Sequence, residues 1–169
     1  MANSKVRKLV WAALFTALTT VATMVIQIPS FKGYLNAGDA LVILGAFFLG
    51  PVWGALAAGL GSALADIFAG YILYAPATLI IKGLMALVAG IILRKAKDNK
   101  RVFPAILGSV LAEIIMIVGY FAFTATFLGV GMGALAEIPG NCVQAVFGAT
   151  AGTALFFALS RIPYVKENF

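Results

Sequence analysis

Asp66, Lys82, Glu113, Asn141 and Gln144 are strongly polar side chains in or beside apolar stretches of this 169-residue chain, and their types limit its chemistry. Carboxylates, an ammonium and two amides can hold a small polar molecule by charge and by hydrogen bonds, since an amide both donates and accepts. Covalent catalysis would need more. With no His there can be no Ser-His-Asp set, and no GxxxxGK[ST] sequence is present to grip a nucleoside triphosphate. The single cysteine, Cys142, excludes an intrachain disulfide and, without His, leaves no zinc ligand set. Neither a catalytic residue, a metal nor a cofactor is expected.

Membrane helices must position these groups. Hydrophobic residues make up 63% of the chain, charged ones 11%, and mean hydropathy is +1.06. At about 20 residues per crossing, six apolar segments fit, predicted at 9–28, 40–50, 52–69, 77–93, 103–128 and 142–160. The expectation is an all-α polytopic fold, one membrane domain over 1–169, with six transmembrane helices. Segment 40–50 barely crosses, and GPVWG (Gly50–Gly54) is a tight turn after it. Lys5, Arg7 and Lys8 before the first segment resemble a signal peptide, but that run is too long for a signal core and is read as a retained helix.

Charge gives the orientation. Lys5, Arg7, Lys8, Arg94, Lys95, Lys97, Lys100, Arg101, Arg161 and Lys166 fall on one side if both termini are cytoplasmic, and Lys32 falls outside. The net charge of +6 then follows from topology and calls for no nucleic acid.

With this topology, Asp39, Asp66, Lys82, Asn141 and Gln144 lie toward the external face and Glu113 near the midplane, while the inner half is apolar and small. Polar groups at membrane depth need partners. The pattern predicts a polar cavity open to the outside and closed below. Asp66 and Lys82 either neutralise each other or face a ligand. Glu113 is either a ligand contact or a protonated, hydrogen-bonded carboxyl, with Lys82 the one cation at its depth. Asn141 and Gln144 either read a heteroaromatic ring edge or serve as a helix cap and an interhelical bond. Tyr34, Tyr71, Tyr74 and Tyr120 gather at the same mouth, placed to stack on a flat ligand, while Trp11 and Trp53 mark the inner interface. Small residues at Ala13/Ala17, Gly50/Gly54, Ala57/Gly61/Ala65 and Gly148/Gly152 allow close helix packing.

The run YLNAGDALVILGAFFLGPVWGALAAGLGSALADIFAGYILYAPATLIIKGL (Tyr34–Leu84), with the AxxxA at Ala13–Ala17 and six short helices, resembles the substrate-binding S-component of energy-coupling factor (ECF) vitamin transporters. It is most similar to the branch assigned to hydroxymethylpyrimidine, pyridoxine and related precursors. The resemblance implies capture of a vitamin at the external face of a prokaryotic plasma membrane. It also implies docking on a transmembrane coupling subunit driven by two ATPases, with toppling in the bilayer. Carried onto this chain, it implies binding by Tyr34, Asn36, Asp39, Tyr74, Lys82, Glu113, Asn141 and Gln144, and coupling-subunit contact at Ala13 and Ala17. Toppling through lipid would require Asp66, Lys82 and Glu113 to face inward. Competing readings are a riboflavin-specific S-component, a stand-alone proton-coupled transporter with Glu113 titrating, and a membrane enzyme acting on lipid head groups. The last would want carboxylates near the cytoplasmic face.

Overall fold

A computed structural model describes residues 4–30, 32–97 and 101–168; Lys100 of the basic tally lies outside them. Helix α1 (Ser4–Val25) leads into a hairpin of β1 (Gln27–Pro29) and β2 (Tyr34–Asn36), paired antiparallel with Ile28 opposite Leu35. Then follow α2 (Gly38–Phe68), α3 (Ala75–Arg94) and α4 (Val102–Ala122). A π-helical turn (Phe123–Phe127) and a 3-10 stretch (Gly131–Glu137) lead to α5 (Ile138–Leu159) and a short α6 (Pro163–Asn168). Among the described residues, five helical stretches are long and apolar enough to cross a membrane.

The second of these is two helices. At Gly50 the backbone takes φ 77° and ψ −179°, a conformation essentially reserved for glycine, and Pro51 follows. The chain turns back so sharply there that a Cβ on Gly54 would stand 2.7 Å from the Cα of Ala46. Arms 38–49 and 51–68 are therefore separate helices, as the short segment and the GPVWG turn predict. At the other end of the first crossing, the predicted helix limit of 28 needs correcting. α1 stops at Val25 because Ile28 precedes Pro29, which disfavours helical backbone, and 27–29 becomes a strand instead.

Helices approach closely where small residues meet. Thr20 Oγ1 donates to the Gly61 carbonyl at 2.8 Å, tying α1 to the second arm of α2. A Cβ on Gly152 would stand 2.9 Å from the Ala40 carbonyl, so α5 lies against the first arm. Val42, Ile43, Met85, Ala89, Ala112 and Met116 fill the centre. The outer surface is apolar, with Val52, Leu60, Ile80 and Val118 exposed. Asp66, Lys82 and Glu113 are 6%, 2% and 3% exposed, so the charges do face inward.

Candidate ligand-binding site

At the hairpin end the polar groups form two layers. The lower layer is a buried network anchored on the first arm of α2. Lys82 of α3 forms an ion pair with Asp39 Oδ1, and Gln144 of α5 donates to Asp39 Oδ2 at 2.6 Å. The Asn36 backbone N–H donates to Gln144 Oε1 at 2.8 Å, and Asn36 Oδ1 accepts from Gly38 N–H at 2.9 Å. One network thus joins α2, α3 and α5 and seats the hairpin on top. Lys82 also lies 5.4 Å from the centroid of the Tyr120 ring. The alternative of an Asp66–Lys82 pair gives way to Lys82–Asp39, because Asp39 on the first arm reaches the ammonium directly. Lys82 does not pair with Glu113 either. Both Glu113 oxygens lack a hydrogen-bond partner among the described residues, and the carboxyl lies against the backbone of Gly148.

Above this layer is a cavity of about 50 Å³, enough for a few waters. Tyr34, Asn36, Tyr74, Asn141 and Gln144 line it, as do Tyr71, Thr78 and Tyr120. Two carboxylates complete the wall, Asp66 at the end of α2 and Glu137 just before α5. Tyr34 donates to Asp66 Oδ1 at 2.7 Å, Thr124 donates to Glu137 Oε2 at 3.1 Å, and Thr78 bonds with Tyr120 at 3.0 Å. The rings form a chain, with centroids 4.8 Å apart for Tyr34–Tyr71, 6.3 Å for Tyr71–Tyr74 and 6.5 Å for Tyr74–Tyr120. Burial foremost, then the Asp66 carboxylate, pushes the Tyr34 hydroxyl well above its ordinary value, so it remains a neutral donor. Burial likewise raises Tyr74, with the charges of Glu137 and Asp66 adding to it.

Of the eight expected binding residues, the cavity gathers five. Asp39, Lys82 and Glu113 stand in the layer beneath. Asn141 does not cap the last long helix, which begins at Ile138, so its side chain is left for the cavity. Sequence reasoning missed Glu137. It lies in a Gly-rich stretch that reads as a loop, and only its carboxylate, between the apolar residues of ALAEIP, hinted at a role.

Two other features lie outside the cavity. Ala13 and Ala17 are exposed and line an apolar groove of about 620 Å³ between α1 and the second arm of α2, walled by Leu9, Trp53, Leu56 and Leu60. Arg7, Lys8, Arg94 and Arg101 converge around the Gly50 turn, with Trp11 and Trp53.

A family model described as "ECF-type riboflavin transporter, S component" matches residues 3–161. A relative from Pyrococcus woesei, known as an uncharacterized protein in a gap 3' region, is 40% identical over 144 residues, covering 84% of this chain and 94% of the relative. Among solved structures, the S-component for biotin from an ECF-type ABC transporter superposes with a TM-score of 0.58 at 19% identity, covering 92% of this chain and 93% of that one. That likeness establishes the shared fold.

Proposed function

From the premise that this chain belongs to the family of ECF-type riboflavin transporter S components, we propose that its cavity captures a small heteroaromatic vitamin or precursor for an ATP-driven importer. Hydroxymethylpyrimidine and pyridoxine are the first candidates. Energy comes from a transmembrane coupling subunit and two ATPase subunits in a prokaryotic plasma membrane. The coupling subunit docks on the groove at Ala13 and Ala17.

The observation that carries this reading is the lining itself. Four tyrosines supply flat apolar faces, while Asn36, Asn141 and Gln144 supply donors and acceptors at a ring edge. Asp39, Lys82 and Glu113 hold the floor on which those groups stand. The hairpin packs over the cavity, and its small volume requires β1 and β2 to shift when a vitamin enters, since ligand pockets are typically about 300–1,000 Å³. Riboflavin is the second reading, favoured by the description of the matching family model; its tricyclic ring demands the largest such shift.

The test is calorimetry on the purified protein in detergent with hydroxymethylpyrimidine, pyridoxine, thiamine and riboflavin. Tight binding of one, weakened in Tyr74→Ala and Asn141→Ala, is the expected result. Uptake without an ATPase module, abolished by dissipating the proton gradient, would instead identify a stand-alone proton-coupled transporter.

A further inference from the structure

The two carboxylates in the cavity wall are more specific than the tyrosines. Asp66 and Glu137 are 6% and 5% exposed, and each spends one oxygen on a hydroxyl donor, from Tyr34 and Thr124. Their other oxygens, Asp66 Oδ2 and Glu137 Oε1, have no hydrogen-bond partner among the described residues. The Thr78 hydroxyl lies toward Asp66 but bonds with Tyr120. Among the described residues, no Lys or Arg lines the cavity. Among the described residues, the buried charged ones are Asp39, Asp66, Glu113 and Glu137 against the single ammonium of Lys82, and that ammonium is committed to Asp39. Lys32, exposed on the hairpin turn, is felt at Glu137 from outside the lining.

A carboxylate held away from water is costly unless a positive charge compensates it. Protonation would remove the charge but leave an O–H on an oxygen that has no hydrogen-bond partner among the described residues. What the wall lacks is therefore a cation, and what surrounds the gap is a chain of tyrosine rings, whose faces attract cations. We propose that the ligand of this cavity is a flat heteroaromatic cation, its charged ring against the tyrosines and its positive end compensated by Asp66 and Glu137. This rests on the reading of the cavity as the capture site, and it narrows the substrate class to a ring with a quaternary or protonated nitrogen.

Matched probes test it on the intact protein in detergent, by calorimetry. One pair is thiamine, with its permanently charged thiazolium, and the isostere carrying a neutral thiophene in that position. The smaller pair is N-methyl-3-(hydroxymethyl)pyridinium and pyridine-3-methanol. The expected result is that a cation binds more than about tenfold tighter than its neutral partner. Asp66→Asn and Glu137→Gln should each weaken the cation about tenfold and the neutral partner less than about twofold. The probe comparison needs no variant, so misfolding of Asp66→Asn cannot obscure it. Equal affinity within both pairs, or tight binding of hydroxymethylpyrimidine or riboflavin that is indifferent to both substitutions, overturns the proposal and leaves the capture reading standing. If no probe and none of the neutral vitamins binds, both fall together.

Discussion

The two ends of this bundle solve the problem of polarity in a membrane in opposite ways. At the hairpin end, carboxylates, an ammonium, amides and hydroxyls are buried and compensate one another or face a cavity, and four tyrosines close over them. At the end marked by Gly50, the bundle is small and apolar inside, and its charges stand at the rim as arginines and lysines. Burying a charge is costly unless it is paired, and the first end pairs Lys82 with Asp39. The second end keeps its outer surface smooth, which suits contact with lipid or with another helix. If the comparison is right, substitutions at the hairpin end should damage both folding and binding, and those on the opposite groove should damage neither.

The largest effect should come from Lys82. Lys82→Met leaves Asp39 buried beside Gln144 with no positive partner, a loss of about 3–5 kcal/mol, read as a large drop in unfolding temperature in detergent. Asp39→Asn in the same chain should recover much of it, because the amide removes the orphaned charge. Without recovery, the network would not be organised around that pair. The next largest is Gly148→Ala. Its Cβ would overlap Glu113 Oε1 and stand 2.7 Å from the Asp39 Cβ, so α5 must move off the first arm of α2. Overpacking of this kind costs about 1–3 kcal/mol. Gly50→Ala provides a contrast from the other end. There a Cβ meets open space, and any loss comes from the backbone conformation alone.

The sequence makes the basic end plain and the polar end only partly so. Charge asymmetry and apolar length yield the apolar helices, and GPVWG locates the turn that separates 38–49 from 51–68. Periodicity has no means of showing that Asp39, nominally in a loop, would reach Lys82 before Asp66 could. That pairing depends on how the first arm lies against α3 and α5, which is tertiary information. Gln27 and Ile28 appear as the tail of an apolar helix because Ile28 suits both states, and the effect of Pro29 on its predecessor decides the outcome. Glu137 is hidden for a different reason. A Gly-rich stretch does not announce a 3-10 turn, and only that turn brings its carboxylate to the cavity.

A smaller effect separates the layers within the polar end. Tyr34→Phe deletes the donor to Asp66 while keeping the ring against Tyr71. Loss of one hydrogen bond to a buried acceptor costs about 1–3 kcal/mol, and the upper layer is half open at Tyr34, so the lower figure is expected. Because the phenol is pushed above its ordinary value and stays neutral, the loss should be constant from pH 6 to pH 9. A loss that vanishes toward high pH would mean that Tyr34 ionises in the wild type, contrary to that direction.

The smallest effect on the chain itself is expected at Ala17→Leu. Ala17 is exposed in an apolar groove, so the added side chain fills space at the surface without entering the core. Unfolding should change by less than about 0.5 kcal/mol, and calorimetric binding should match the wild type, since Ala17 does not line the cavity. Capture of a purified coupling subunit with its ATPases, by contrast, should fall sharply, because a close helix approach at a small-residue seam does not tolerate a leucine. Ala13→Leu should behave alike, one turn away on the same face. A destabilised isolated chain would make Ala13 and Ala17 ordinary packing residues, and the groove would then serve the fold as the hairpin end does. Normal stability with normal capture would mean that the partner docks elsewhere. Only the split result, an unchanged chain that no longer assembles, assigns ligand capture to one end and docking to the other.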